Sequence, residues 1–161
     1  MKILTILILS GFLINAQAKP FKKPNGIYEH IKKNSPFIGS VYARRLAREI
    51  NRASKLHKLD PKLLSAIIAQ ESSYRMGLVA GSDYGLTMIN IRNIKHFIFD
   101  KKKLLGNMRY SVNAGAIVLS EIKKRRFKIE GKRYFLRFNC GSKSLKRKIC
   151  LDYEKRVMRW Y

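Results

Sequence analysis

The sequence predicts a mainly α-helical domain with a small β-hairpin or irregular segment that lies beside a cleft. A length of 161 residues with 46% hydrophobic residues fits one domain with a real core. Several stretches repeat apolar residues at helical spacing. Between two of these stretches, the residues from Val79 to Ile91 carry glycines and turn residues that break the helical spacing. We expect this segment to form one side of the cleft.

The first 18 residues have the pattern of a secretory signal peptide. Lys2 precedes an apolar run from Ile3 to Ile14, and Ala16-Gln17-Ala18 is a small-x-small cleavage site. The apolar run is shorter than the roughly 20 residues that span a bilayer. We therefore expect cleavage after Ala18 and export to the periplasm or the extracellular space.

The remaining chain divides into a basic, proline-containing arm over residues 19–40 and a domain over residues 41–161. The arm is predicted to be extended. Ile27, Tyr28 and Ile31 could instead form a short helix or dock on the domain.

Helical spacing predicts the main elements of the domain. Asp60-Pro61 is a helix start, because Asp caps free N–H groups and Pro at the first helical position loses no hydrogen bond. Segments 42–56, 107–124 and 151–161 are also predicted to be helical, whereas the basic segment 125–133 reads as a loop. The other expectations are a short helix or loop over 91–100, a solvated lysine run over 101–103 and an aromatic helix over 134–139.

Glu71 is the principal candidate for chemistry. It follows Leu64, Ile67 and Ile68 on one helix face, so its carboxyl group should be poorly solvated. Desolvation raises the pKa of a carboxyl group and makes it a general acid near neutral pH. The alternative is a solvated glutamate or an ion-pair partner. A second carboxylate, Asp83, follows on a loop, and glycoside cleavage often uses such a pair.

The sequence around these carboxylates resembles a known family. Gln70-Glu71-Ser72 and the segment from Gly85 to Asn90 resemble lytic transglycosylases with a lysozyme-like SLT domain. The resemblance is to the small members that accompany bacterial secretion and pilus systems. Asp83-Tyr84-Gly85 is also similar to c-type lysozymes. The downstream motifs are Asn113-Ala114-Gly115-Ala116, Phe138-Asn139-Cys140-Gly141 and Tyr153 with Val157.

The resemblance covers about residues 42–161 and contains two departures. Met88 stands where the family usually has Gln, and Phe138 replaces a Tyr. Both departures affect contacts to sugar, and Thr87 could supply the polar contact that is lost at Met88. Neither departure changes the acid, Glu71.

The resemblance implies a lysozyme-like α+β fold and cleavage of the MurNAc–GlcNAc β-1,4 bond with a 1,6-anhydro product. Glu71 would be the general acid and base, with support from Ser72, Asp83 and Tyr153. The implied substrate-binding residues are Gly85, Leu86, Thr87, Asn90 and Asn139. Hydrolysis by Glu71 and Asp83, or non-catalytic binding of a cationic protein to the cell wall, remain alternatives.

The single carboxyl mechanism needs no cofactor or metal, and His30, His57 and His96 show no zinc-ligand spacing. Cys140 and Cys150 form an even pair in an exported chain, which suggests a disulfide.

The net charge of +25, from 35 Lys and Arg against 10 Asp and Glu, should draw the chain to polyanions such as acidic wall polymers or anionic lipids. The expected partners are peptidoglycan strands, with acidic wall polymers or a secretion or pilus apparatus as further candidates. The sequence contains no nucleic-acid-binding signature, so we do not expect nucleic acid as a partner. We expect the chain to be a monomer.

Overall fold

The computed structural model of the protein describes residues 26–141 and 145–161. The predicted signal peptide and the first part of the arm lie outside these residues. The helices of the described residues are α1 (Ile27–Asn34), α2 (Ser40–His57), α3 (Pro61–Ser72), α4 (Ile91–Phe97), α5 (Lys101–Gly106), α6 (Met108–Glu130), a 3-10 helix (Gly131–Leu136), α7 (Arg137–Cys140) and α8 (Lys148–Trp160). The strands β1 (Val79–Ala80), β2 (Asp83–Tyr84) and β3 (Ile89–Asn90) form an antiparallel sheet in that order. The predicted mainly α-helical fold with a small β segment is confirmed.

Helix α3 is the centre of the core. It begins as predicted, because the Asp60 side chain accepts a hydrogen bond from the backbone N–H of Lys62 and Pro61 occupies the first turn. The sequence assigned one buried face to α3, but nearly all of its faces are buried. A helix that is apolar all round is enclosed by its neighbours, and α1, α2 and α8 all pack against α3.

Helix α1 belongs to the same core. Ile27 and Ile31 are four residues apart, so they share one helix face, and both are buried in the cluster that contains α2 and α3. Of the alternatives left by the sequence for this part of the arm, a short helix docked on the domain is the one observed.

Helix α6 is longer than the sequence predicted. The expected loop over 125–133 was wrong, because α6 continues to Glu130 and a 3-10 helix follows it. Arg125 pairs with Glu121 one turn earlier, which is the spacing that supports a helix. Phe127 also packs its ring against Tyr134 of the 3-10 helix at 5.9 Å. The basic residues therefore form the exposed side of a helix.

The segment after β2 rests directly on α6 through a glycine. A Cβ atom built on Gly115 would lie 2.4 Å from Cγ2 and 2.6 Å from Oγ1 of Thr87, so no larger residue fits at this position. The Leu86 N–H also donates to the Ser111 hydroxyl of α6 at 2.9 Å. These contacts fix the turn between β2 and β3, and with it the strands that reach the cleft.

The C-terminal part is tied to the core covalently. A disulfide joins Cys140 at the end of α7 to Cys150 in the first turn of α8. Arg137 of α7 donates to the buried carboxylate of Glu130 at 2.8 and 2.6 Å and to the carbonyl of Gly141 at 3.0 Å.

Among residues 26–141 and 145–161, no helix combines the length and apolar character that a membrane span requires.

Candidate active site

A cleft of about 910 Å³ lies at the end of α3 and is bounded by β2, β3, α4, α6 and α7. Of the residues predicted to be catalytic or substrate-binding, four line it: Glu71, Asp83, Asn90 and Asn139. The structure therefore brings the principal acid, the second carboxylate and two amide side chains to one cavity. A cavity of this size accommodates several sugar rings in an extended strand.

Glu71 has the environment of a general acid. Its pKa is raised to about 7. Burial is the largest cause, the Tyr153 hydroxyl and the charge of Arg156 act against it, and the nearby charge of Asp83 adds to it. The carboxyl group is consequently about half protonated at neutral pH. The expectation that the apolar face of α3 desolvates Glu71 agrees with this environment.

Tyr153 holds the carboxyl group of Glu71 in place. Its hydroxyl donates to Oε1 of Glu71 at 2.8 Å. Burial raises the pKa of Tyr153 well above its usual value, and the charge of Glu71 adds to this effect, so the phenol remains a donor. The packing of α8 on α3 brings the two residues together. Because Tyr153 occupies Oε1, Oε2 is left to carry the transferable proton.

Asp83 is held across the sheet by Asn90. The two residues are partners in the register of β2 and β3, and the Asn90 amide donates to Oδ1 of Asp83 at 2.7 Å. The side-chain oxygen Oδ1 of Asn90 also accepts a hydrogen bond from the backbone N–H of Arg92 and so caps α4. Asn90 thus fixes both the second carboxylate and the start of α4.

The profile of the transglycosylase SLT domain family matches residues 48–160. The chain belongs to this family. Searches of curated proteins and of solved structures found no match to the chain. Membership in the SLT family supports peptidoglycan lytic transglycosylase activity in general and implies peptidoglycan as the substrate. The resemblance stated from the sequence is confirmed at this level.

Several residues assigned to the site by resemblance to the SLT family lie behind the cleft. The Ser72 hydroxyl donates to the carbonyl of Ile68 at 3.0 Å, so the structure gives it a partner other than Glu71. Gly85, Leu86 and Thr87 are buried. Their contacts with α6 support the sheet, and the Thr87 side chain is directed at α6 rather than at the cavity.

The two departures from the SLT pattern both lie on the cleft surface. Met88 and Phe138 are half-buried and line the cavity. Where the family usually has a Gln amide and a Tyr hydroxyl, this chain presents a thioether and a phenyl ring.

Sequence reasoning missed the basic residues of the cleft. Arg92 and His96 of α4 are four residues apart, and Arg125 and Arg126 lie on the part of α6 that was predicted to be a loop. The spacing of Arg92 and His96 could have identified the first pair as one helix face. In the part of the chain that the structure describes, no group of three His, Cys, Asp or Glu side chains is placed to hold a metal ion.

Tyr153→Phe should move the alkaline limb of the pH–activity profile to higher pH. The Tyr153 hydroxyl lowers the pKa of Glu71, so its removal raises that pKa, and Glu71 stays protonated to a higher pH. A hydrogen bond to a carboxylate corresponds to a shift of about one pH unit. The measurement is kcat/KM for peptidoglycan cleavage between pH 5 and 9.

The matched control is Tyr134→Phe, since Tyr134 is also a buried phenol but Glu71 is not among the groups that shift its pKa. This control should leave the limb near pH 7. An unmoved or lowered limb in the Tyr153 variant would show that the hydroxyl does not set the acidity of Glu71.

Proposed function

We propose that this SLT-family chain cleaves the β-1,4 bond between N-acetylmuramic acid and N-acetylglucosamine and releases a 1,6-anhydro-muramic acid end. The observation that carries the proposal is the state of Glu71, a cleft carboxyl group with a pKa of about 7 and a hydrogen bond from Tyr153. A group with this pKa can both donate and accept a proton near neutral pH.

Glu71 performs both steps in this mechanism. It gives its proton to the glycosidic oxygen, the bond between that oxygen and the anomeric carbon of muramic acid breaks, and positive charge develops on the ring. The Glu71 carboxylate then removes the proton from the 6-hydroxyl of the same sugar while that oxygen bonds to the anomeric carbon. Glu71 returns to its protonated state, and no water is consumed.

The surrounding residues support these steps. The negative charge of Asp83 lies near the cleft end of α3 and stabilises positive charge on the sugar ring. Asn90 keeps Asp83 in place, and the exposed amide of Asn139 offers a contact to the acetamido or hydroxyl groups of the strand.

Hydrolysis is the second candidate, and the position of Asp83 favours it. Asp83 lines the same cavity as Glu71 and influences its pKa through charge. An aspartate in this position could stabilise the ring until water attacks, as in a retaining glycosidase.

Mass spectrometry of the soluble products from purified peptidoglycan separates the two reactions. Anhydro-muropeptides, each lighter by one water than the hydrolysis product, are expected. Reducing muramic ends would assign hydrolysis and make Asp83 a catalytic partner. The absence of soluble products together with tight wall binding would favour a cationic wall-binding protein.

The same proposal includes export of the chain and action in the periplasm or outside the cell. Residues 1–18 have the composition of a signal peptide, and the Cys140–Cys150 disulfide is typical of an oxidising compartment. Local opening of the wall for a secretion or pilus apparatus is a natural use of a small enzyme of this kind. Normal assembly of every such apparatus in a strain that lacks the chain would contradict this role.

A further inference from the structure

The cleft wall formed by α6 changes from apolar to cationic along its length. Val118 and Ile122 line the cavity, and Arg125 and Arg126 continue the same wall one turn later. At a rise of 1.5 Å per residue, Val118 and Arg126 are separated by about 12 Å along the helix. Arg92 joins them from α4, which packs on α6 through apolar side chains such as Ile94.

The cleft contains arginines in two different states. Two of them are held by carboxylates, namely Arg125 by Glu121 one turn earlier in α6 and Arg137 of α7 by Glu130 at the end of α6. Arg92 and Arg126 also line the cavity, but their side chains make no hydrogen bond or ion pair with another residue in ranges 26–141 and 145–161. They are the guanidinium groups of the cleft that are available to a ligand.

The cleft acids do not neutralise these two arginines. Asp83 accepts a hydrogen bond from Asn90, and Glu121 pairs with Lys124 and Arg125. Glu71 is held by the Tyr153 hydroxyl, and none of the three carboxyl groups forms an ion pair with Arg92 or Arg126. A guanidinium group that is directed into a cleft favours carboxylate or phosphate ligands, because its N–H groups match their paired oxygens. The ligand of this surface should therefore be an anion that enters together with the glycan strand.

We propose that Arg92 and Arg126 bind carboxylates of the peptides that branch from muramic acid, so that the chain selects peptide-bearing strands over bare glycan. This inference rests on the proposed function, since it takes peptidoglycan as the occupant of the cleft. The sugar backbone itself offers hydroxyl and acetamido groups, which are neutral. The free carboxylates of the peptides are the anions attached to the strand at regular intervals beside the scissile bond.

The test is a binding measurement in the Glu71→Gln chain, in which the proposed reaction cannot consume the ligand. Two end-labelled strand preparations of equal length serve as ligands. One retains its uncrosslinked peptides. The other has lost them to an amidase, and the lactyl carboxylates exposed by that cut have been converted to neutral methylamides. Fluorescence anisotropy should show about tenfold tighter binding of the peptide-bearing strand, which corresponds to about 1.4 kcal/mol. Arg92→Ala with Arg126→Ala should reduce the ratio of the two affinities to near one and leave binding of the bare strand unchanged.

The matched control removes two charges from outside the cleft, by Arg45→Ala with Arg159→Ala. Both residues are exposed and neither lines the cavity. This control should keep the tenfold ratio, and circular dichroism should show the same helix content in every variant.

Any one of the following outcomes would overturn the inference. The first is an affinity ratio near one for the two strands in the Glu71→Gln chain. The second is an unchanged ratio in the Arg92 and Arg126 variant. The third is an equal loss of the ratio in the Arg45 and Arg159 control. If the Arg92 and Arg126 variant lost as much affinity for polyphosphate as for the peptide-bearing strand, the two arginines would form a general polyanion surface. This result would also overturn the inference. Failure of the proposed reaction is detected separately, by the products of the wild-type chain.

Discussion

Glu71→Gln should reduce the release of anhydro-muropeptides by about 10⁴-fold. General acid–base catalysis contributes about 10²–10⁴-fold, and the upper end applies here because one carboxyl group serves both steps. Gln keeps the shape of the side chain and an oxygen that accepts the Tyr153 hydrogen bond, but it can neither donate a proton to the glycosidic oxygen nor remove one from the 6-hydroxyl. The measurement is the initial rate of product release at pH 6, where Glu71 is protonated.

The same substitution should stabilise the fold at alkaline pH. Burial raises the pKa of Glu71 from 4.5 to about 7, so the folded chain binds this proton more tightly than the unfolded chain does. The contribution of Glu71 to stability is therefore greatest below pH 4.5 and is lost as the pH rises through about 7. The full difference corresponds to about 3 kcal/mol at pH 8. Denaturant unfolding should show that the Glu71→Gln chain gains about this free energy at pH 8 and little at pH 4.

Glu49→Gln is the matched control with the opposite sign. The side-chain hydrogen bonds and charges of Arg52 and Arg109 outweigh its burial and hold the pKa of Glu49 below its usual value. Its stabilising effect is therefore present at neutral pH and decreases as the pH falls through the lowered pKa. This variant should retain cleavage activity and be less stable than wild type at pH 8. Retained activity in the Glu71 variant, or an equal stability gain at pH 4 and pH 8, would contradict the assignment of Glu71.

The helices and the acid could be predicted because their signals are local. Asp60 and Pro61 mark the start of α3 by capping chemistry, and the apolar residues before Glu71 predict a buried face. The spacing did not reveal that α3 is buried on all sides, because that depends on α1, α2 and α8 packing together around it. The desolvation of Glu71 is consequently stronger than one apolar face alone would produce.

The rest of the site depends on contacts between distant segments. Strands of two residues have no readable alternation, so the pairing of Asp83 with Asn90 has no signal in the sequence. The motif resemblance pointed to Thr87 as a substrate contact, but motif identity does not say which side of a loop faces the ligand. The end of α6 was missed because a run of arginines and lysines fits a solvated helix face as well as it fits a loop, and Gly131 is the first residue that breaks the helix.

Gly115→Ala should destabilise the protein by about 1–3 kcal/mol, although alanine is the better helix former by up to about 1 kcal/mol. Gly115 lies inside α6, and the new methyl group would be 2.4–2.7 Å from three atoms of Thr87. Thr87 itself is 0% exposed, so it has no open space to move into. The turn before β3 must shift away from α6, and Asn90 and Asp83 shift with it. We therefore expect a loss of activity beyond the loss of stability, measured as kcat/KM at a temperature where the variant is fully folded.

Gly106→Ala is the control that isolates the contact with Thr87. Gly106 ends α5, and a Cβ atom at this position meets no atom within 4 Å. This variant should be as stable as wild type or slightly more stable, with unchanged activity. Thr87→Ala in the Gly115→Ala background should recover part of the stability, because it removes two of the three clashing atoms but leaves the Cβ atom of residue 87. If the two substitutions were simply additive, the glycine would be required for a reason other than its contact with Thr87, and the path from α6 through the turn to Asp83 would carry no energetic coupling.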